Sequence, residues 1–266
     1  MIEYVRAAAD AGFTSVGLRA HPVADSDPHF PLDTSSGAFR ELVSTVTATG
    51  VTVLDLEVFS ITSSTRREDW LTVLGAGERL GARYLNVIGA HPSAAEFEQV
   101  VGTLTADAGD HGLVPVLEPV AYRALNSFDH AVDIARAVGC AVELDVLHFL
   151  RTGATVELVS DNRDLFPIFQ LCDAPADIGD HGDSLAAIGA RTDEENLEIV
   201  ESRSLRRLPG EGDGPVRELL RLLGASTYVS VEVPNVLIRG DRPAAEYLRL
   251  LHDQAQDFMA VVTGES

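Results

Sequence analysis

Cysteine is scarce in this chain of 266 residues, and long apolar runs are missing. The two cysteines, Cys140 and Cys172, lie in apolar segments and have neither the spacing of a zinc site nor that of a disulfide framework. No stretch approaches the roughly 18 uninterrupted apolar residues of a membrane helix. The N-terminus also lacks the basic and apolar regions of a secretory signal. We therefore expect a cytoplasmic protein.

Basic residues are also few, because 20 of them, all arginines, stand against 41 aspartates and glutamates. The formal net charge of -21 should repel nucleic acid and anionic membrane surfaces. We therefore expect neither of them as a partner, and a small molecule is the more consistent ligand. Hydrophobic residues make up 45% of the chain, which is enough to bury a sizeable core.

Seven short runs of β-branched or apolar residues recur along the chain, each with the length and composition of a buried parallel strand. They are TSVGLR, VTVLDLEVF, RYLNVIGA, LVPVLEPV, CAVELDV, PIFQLCD and TYVSVEV. Helical patterns lie between them, and most of these patterns end in the glycine that favours a helix C-terminus. Because no low-complexity linker divides the chain, we predict one domain over residues 1–266.

Repeated strand and helix units without a GxGxxG turn favour a (β/α)₈ TIM barrel over a doubly wound sheet. The chain nevertheless begins with a helical segment, IEYVRAAADAG, that has no strand before it. We therefore predict an α/β TIM barrel that lacks its first strand in this sequence and shows seven strands. An open seven-stranded sheet is the alternative. The missing strand would expose its neighbours' edges, which is compatible with a homodimer.

Oxygen-bearing side chains mark the ends of several predicted strands. They are Glu57, Glu118, Asp145, Gln170 and Glu232. In a barrel these positions converge on one mouth, where three carboxylates repel one another unless a divalent cation lies between them. Asp145 taken alone would also suit a helix cap. Because four consecutive units end in this way, we predict a divalent metal site at the mouth.

The motifs AADAGFTSVGLR, LEPV, LDVLHF, QLCDAP, LPGEGDG and SVEVPN together resemble the xylose-isomerase-like TIM barrels, which include sugar phosphate isomerases and epimerases. The resemblance covers nearly the whole chain. It implies a divalent metal held by Glu118, Asp145, the position of Gln170, and Glu232. The family carries histidine where Gln170 stands. An all-oxygen set favours Mn²⁺ or Mg²⁺, with Co²⁺ or Zn²⁺ as alternatives.

The same resemblance implies roles for individual residues. Glu118 and Glu232 become the acid/base pair on opposite sides of the substrate carbon, because a C–H next to a carbonyl loses its proton only when nearby positive charge stabilises the product. His148, in the DxxH pattern, and Arg203, before RRLPGEGDG, are expected to contact the substrate. A packed core histidine and a solvated loop arginine are the alternatives.

Three more residues are candidates for binding substrate. Glu57 and Arg19 follow the first two visible strands, where they would line the pocket or pair with each other. Glu211 lies in LPGEGDGP, a segment whose glycines and prolines also suit a simple turn.

The leading functional hypothesis is a metal-dependent isomerase or epimerase that transfers a proton next to the carbonyl of a sugar, sugar phosphate or polyol ketone. A dehydratase or lyase of the inosose or dehydroshikimate type is the alternative, and a non-catalytic barrel without metal is a third. Endonucleases of the superfamily need a basic surface that this chain lacks. No glycine-rich anion loop follows the last strand, which favours a non-phosphorylated sugar or cyclitol.

Overall fold

The computed structural model describes residues 1–20, 32–190 and 196–264. Within them, seven parallel strands stand in chain order, and every strand pairs with the next one. They are β1 (Ser15–Arg19), β2 (Thr52–Ile61), β3 (Tyr84–Gly89), β4 (Val114–Glu118), β5 (Ala141–Asp145), β6 (Ile168–Leu171) and β7 (Tyr228–Val231). Each strand overlaps one of the seven predicted runs, and only β2 extends beyond its run, by two residues, so the predicted α/β barrel with seven strands is confirmed.

Helices surround the strands. They are α1 (Ile2–Ala11), α2 (Gly37–Thr49), α3 (Arg67–Leu80), α4 (Ala94–Asp110), α5 (Phe128–Val138), α6 (Val146–Thr152), α7 (Val156–Asp161), α8 (Asp183–Ala187), α9 (Leu197–Ser204), α10 (Val216–Leu223), α11 (Val236–Arg239) and α12 (Ala244–Thr263). Serine side chains cap α2, α4 and α5 by accepting a backbone hydrogen bond in the first turn. None of the described helices combines the length and apolar composition that a bilayer crossing requires.

The sequence analysis did not predict α12, which is 20 residues long. Its buried residues Leu251, Ala255, Phe258 and Val262 recur every three or four positions, so the helical period was present in the sequence. This buried face packs against α1.

The barrel is nearly closed. Strands β1 and β7 form the two edges of the sheet, and in the described part of the chain they do not pair with each other. A cavity of about 330 Å³ lies between them, lined by residues of β1, β7, α1 and α12. The described strands therefore form a barrel of seven strands that is open between β1 and β7.

A small apolar cluster fills the inside of the barrel. Its four buried members come from four different strands and are Leu54, Val116, Ala141 and Ile168. Because side chains alternate along a strand, residues two or four positions later face the same interior. Glu118 follows Val116 by two, Gln170 follows Ile168 by two, and Asp145 follows Ala141 by four. The apolar layer therefore lies beneath a polar layer at the C-terminal ends of the strands.

Candidate functional site

Three carboxylates meet at the mouth of the barrel. Glu118 ends β4, Asp145 ends β5, and Glu232 directly follows β7. One oxygen atom of each lies within 4.8 Å of the others. Glu118 and Asp145 are buried, whereas Glu232 keeps 33% of its side chain exposed. These residues are the three carboxylates of the predicted metal site, and the fold brings them close enough to share one cation.

Gln170 completes this group. It is buried on β6, pairs in register with Asp145, and lines the same cavity as Glu118 and Glu232. Its side-chain oxygen Oε1 is buried and has no hydrogen-bond partner among the described residues. Leaving such an acceptor unsatisfied costs about 1–3 kcal/mol, which coordination to a cation would remove. Three carboxylates and an amide oxygen are a donor set that suits a hard divalent metal.

Asp145 has two roles in the structure. It caps the N-terminus of α6, because its Oδ1 accepts a hydrogen bond of 2.8 Å from the backbone N–H of His148. Its Oδ2 accepts a hydrogen bond from the guanidinium of Arg206. Burial raises the pKa of Asp145, but Arg206 and His148 together hold that pKa below its usual value. The cap and the proposed ligand are therefore the same ionised side chain.

Arg206 provides the positive charge nearest to the carboxylates. It is 2% exposed, and its Nη1 lies 3.2 Å from Oε2 of Glu232 as well as contacting Asp145. Its Nε donates a hydrogen bond of 3.1 Å to the carbonyl oxygen of Ser202. The arginine predicted from the sequence to contact the substrate was Arg203. Arg203 is exposed, although it lines the same cavity.

The choice between the two arginines depends on where α9 ends. That helix stops at Ser204, so Arg206 lies beyond it, in a segment that pairs with the start of α11 through Leu205 and Asn235. Spacing in RSLRRL does not reveal this end, and no other signal in the sequence distinguishes the arginines.

A buried ionic cluster holds α9 in place. Glu201 is 0% exposed and accepts hydrogen bonds of 2.7 Å from Nε of Arg151 and 2.6 Å from Nε2 of His181. Burial raises the pKa of Glu201, but these hydrogen bonds hold it below its usual value. Because Arg151 belongs to α6, whose cap is Asp145, the cluster ties the arginine-bearing segment to the site.

The two glutamates have raised pKa values. Burial, followed by the charges of Glu232 and Asp145, raises the pKa of Glu118 to about 8, although Asn86 donates a hydrogen bond of 2.9 Å to its Oε2. Burial also raises the pKa of Glu232 to about 7, against the opposing charge of Arg206. Carboxyl groups that titrate near neutral pH are suited to acid/base catalysis.

His148 lines the cavity at the mouth. Burial lowers its pKa to about 4, so the imidazole is neutral near neutral pH. Its Nδ1 is 3.5 Å from the backbone N–H of Ala121, which favours the tautomer with the proton on Nε2. Nε2 lies 3.9 Å from Oε1 of Glu118. The imidazole therefore offers an N–H beside Glu118.

A cavity of about 600 Å³ opens above the carboxylates. Arg19 and Glu57 both line this cavity, and they also form an ion pair of 3.6 Å with each other. Lining the pocket and pairing with each other, the two alternatives expected from the sequence, therefore both occur. The cavity is also lined by residues that the sequence analysis missed, namely Asn86, Tyr122, Arg123 and Ser202 in addition to Arg206. Apart from Arg206, they lie within β3, in α9 or in the segment after β4 rather than at a predicted strand end.

The structure does not bring Glu211 to this cavity. Glu211 is exposed in a turn, and it is not among the described residues that line the mouth. Asp173 folds the turn by accepting hydrogen bonds from the backbone N–H groups of Gly210 and Gly214. A Cβ at Gly212 would lie 2.4 Å from Oδ1 of Asp173, so this position requires glycine. The turn alternative describes this segment better.

Comparison with known proteins identifies a family and a fold. A model of the xylose isomerase-like TIM barrel matches residues 5–254. No curated protein gives a significant match. A fusion protein of a xylose isomerase-like TIM barrel and a 4-hydroxyphenylpyruvate dioxygenase superposes with a TM-score of 0.72 at 18% identity. The superposition covers 96% of this chain and 40% of the fusion protein.

Two further solved structures superpose on this chain over 92% of their own length. The IOLI protein with a bound zinc atom has a TM-score of 0.69 at 15% identity over 99% of this chain. The probable 3-DHS dehydratase AsbF from Bacillus anthracis, involved in petrobactin synthesis, has a TM-score of 0.69 at 13% identity over 96% of this chain. Epimerases also occur among the similar structures. Because these identities are low, the structural likenesses show the fold alone.

Proposed function

This chain belongs to the xylose isomerase-like TIM barrel family, and we propose that it is a divalent-metal-dependent isomerase or epimerase. It would transfer a proton next to the carbonyl of a sugar or a related polyol ketone. The observation that carries this proposal is the approach of Glu118, Asp145 and Glu232 to within 4.8 Å of one another. They lie beneath a cavity of about 600 Å³, which suits a small ligand.

Four residues would hold the metal: Glu118, Asp145, Gln170 and Glu232. Their oxygen donors favour Mn²⁺ or Mg²⁺. When bound, the ion would polarise the oxygens beside the reacting carbon and stabilise the negative charge that develops there. Two of these residues, Glu118 and Glu232, would also handle the proton, one removing it and the other returning it. Their pKa values of about 8 and about 7 allow both forms near neutral pH.

Dehydration is the second candidate function. It is favoured by Glu118, whose pKa of about 8 leaves the carboxyl protonated near neutral pH, because a carboxylic acid can give its proton to a departing hydroxyl while the neutral His148, 3.9 Å from Glu118, donates a hydrogen bond to it. The similar fold of a probable dehydratase is consistent with it. Elimination would produce a conjugated enone with a new ultraviolet absorbance, whereas epimerisation would exchange the C–H proton without that absorbance.

The proposal is tested by hydrogen exchange. The protein loaded with Mn²⁺ is incubated in D₂O with a panel of ketoses and cyclic polyol ketones, and NMR follows loss of the C–H next to the carbonyl. We expect Glu232→Gln to abolish the exchange, while Glu211→Gln, a matched change outside the cavity, retains it. Exchange in Glu232→Gln within about threefold of the wild type, less than about 1 kcal/mol of barrier, would refute this role.

Metal content provides an independent check. We expect the purified protein to bind about one divalent ion per chain, as carboxylate-rich sites do. Asp145→Ala should lose most of this ion, measured by plasma mass spectrometry after dialysis. Undiminished metal in that variant, or no uptake by the wild type, would contradict the ligand assignment and favour a non-catalytic barrel.

A further inference from the structure

Four arginines line the mouth cavity: Arg19, Arg123, Arg203 and Arg206. This is a high concentration for a chain with 20 basic and 41 acidic residues. Arg19 is paired with Glu57, and Arg206 is paired with Asp145 and Glu232. Arg123 and Arg203 form no ion pair with any residue that the structure describes. Two guanidinium groups in the cavity therefore have no counter-ion among residues 1–20, 32–190 and 196–264.

Arg123 is held in place by aromatic stacking. Its guanidinium carbon lies 5.8 Å from the centre of the Tyr122 ring, and its Nε is buried without a hydrogen-bond partner in the described structure. The Tyr122 hydroxyl donates a hydrogen bond of 3.2 Å to Oγ of Ser202, the residue before Arg203. This hydrogen bond connects the segment that carries Arg123 to the segment that carries Arg203. Both arginines line the cavity, so the two segments form adjoining parts of its wall.

The charges at the mouth point to the ligand. The lining contains four arginines and three glutamates, and the buried carboxyls of Asp145, Asp55 and Glu143 lie close to these glutamates. Carboxylates pair with Arg19 and Arg206, whereas Arg123 and Arg203 have no carboxylate partner among the described residues. A neutral sugar would leave these two guanidinium groups without a counter-charge, whereas an anionic group would provide one. A guanidinium presents a planar pair of N–H donors that matches carboxylate and phosphate oxygens.

We propose that the substrate of this site carries an anionic group, a carboxylate or a phosphate, and that Arg123 and Arg203 bind it. The inference rests on the proposed function for the identity of the mouth as the active site. It replaces the neutral sugar or cyclitol expected from the sequence. That expectation rested on the lack of a glycine-rich anion loop, whereas here arginine side chains rather than a helix N-terminus would contact the anion.

The experiment compares three ligands that share one ring and differ at a single carbon. They are D-glucose, with a hydroxymethyl group, D-glucuronate, with a carboxylate, and D-glucose 6-phosphate. Isothermal titration calorimetry measures their affinity for the protein loaded with Mn²⁺. We expect at least one anion to bind about tenfold more tightly than D-glucose, which corresponds to about 1.4 kcal/mol. The stronger of the two identifies whether the anion is a carboxylate or a phosphate.

Substitutions connect this preference to the two arginines. Arg123→Gln and Arg203→Gln should each reduce the affinity for the preferred anion about tenfold and leave D-glucose unchanged. Arg123→Lys keeps the charge without the planar fork, so it should lose less than Arg123→Gln and serves if the glutamine variant does not fold. Arg136→Gln is the matched control, because Arg136 pairs with Asp164 on the outside of the barrel and does not line the cavity.

Equal affinity for all three ligands, including no measurable binding of any, would overturn the proposal. Unchanged anion affinity in Arg123→Gln and in Arg203→Gln would also overturn it. These outcomes differ from a failure of the proposed function, since binding does not require turnover. Anion binding that depends on both arginines, with persistent proton exchange in Glu232→Gln, would leave this inference standing and remove the proposed catalytic role.

Discussion

Replacing Arg206 with methionine should destabilise the metal-free protein substantially. The change keeps an unbranched apolar stem but removes the cation between Asp145, which is 0% exposed, and Glu232. Breaking a buried ion pair costs about 3–5 kcal/mol because an uncompensated charge stays behind. Asp145 retains its hydrogen bond from the backbone of His148, and Glu232 is 33% exposed, so we expect the lower end, about 3 kcal/mol.

The loss should be recovered in part by a divalent ion. Urea unfolding in EDTA, followed by circular dichroism near neutral pH, measures the free energy of unfolding of the wild type and of Arg206→Met. Mn²⁺ at about one hundred times its dissociation constant for the wild type should then add about 2.7 kcal/mol to the wild type's free energy of unfolding, and the variant is measured at the same Mn²⁺ concentration. We expect this gain to be at least as large in the variant, since the carboxylates no longer share their charge with a guanidinium.

The pH dependence and a control complete this test. The folded pKa of Asp145 lies below its unfolded value, so its contribution is present above the unfolded pKa and is lost as the pH falls. The difference between the wild type and the variant should therefore shrink as the pH falls below about 4, the usual pKa of an unfolded aspartate. Arg136→Met removes an exposed ion pair and should cost less than about 1 kcal/mol. A cost for Arg206→Met no larger than this control would refute the reasoning.

Three other predictions concern the site and its support. The folded pKa values of Glu118 and Glu232 are raised to about 8 and about 7. The metal-free protein should therefore become less stable as the pH rises from about 6 to about 9. A thermal unfolding temperature that rose over this pH range would contradict these pKa values. Glu201→Ala should lose about 3 kcal/mol or more in urea unfolding, because it leaves Arg151 and His181 without their shared carboxylate, whereas the exposed control Asp164→Asn should lose under about 1 kcal/mol. Gln170→His should raise the affinity for Zn²⁺ relative to Mn²⁺ about tenfold, because imidazole is the softer ligand; competitive titration with an unchanged ratio would mean that Gln170 does not reach the ion.

The strands and their polar ends were predictable because both follow from short-range periodicity. Seven apolar runs of strand length became β1 to β7, and a two-residue alternation sent Glu118, Asp145 and Gln170 to the same side. The parallel order then placed their C-terminal ends at one mouth. Their roles as ligands and catalysts stay predictions, to be decided by the metal and exchange measurements.

Contacts between distant segments were not predictable in this way. Arg206 rather than Arg203 contacts Asp145 because α9 ends two residues before it, and α9 is held there by Glu201, Arg151 and His181 from separate parts of the chain. Such contacts join residues 20 and 50 positions apart, and local propensity does not encode them.

The sequence by itself therefore determined the barrel and the set of oxygen donors at its strand ends, because a strand's alternation is a property of consecutive residues. Only the tertiary structure decided which arginine neutralises that set, that Arg203 has no ion-pair partner among the described residues, and that Glu211 lies outside the cavity. Those outcomes depend on how the described residues between β6 and β7, 172–190 and 196–227, pack against the barrel, and packing energy is set by partners far away along the chain.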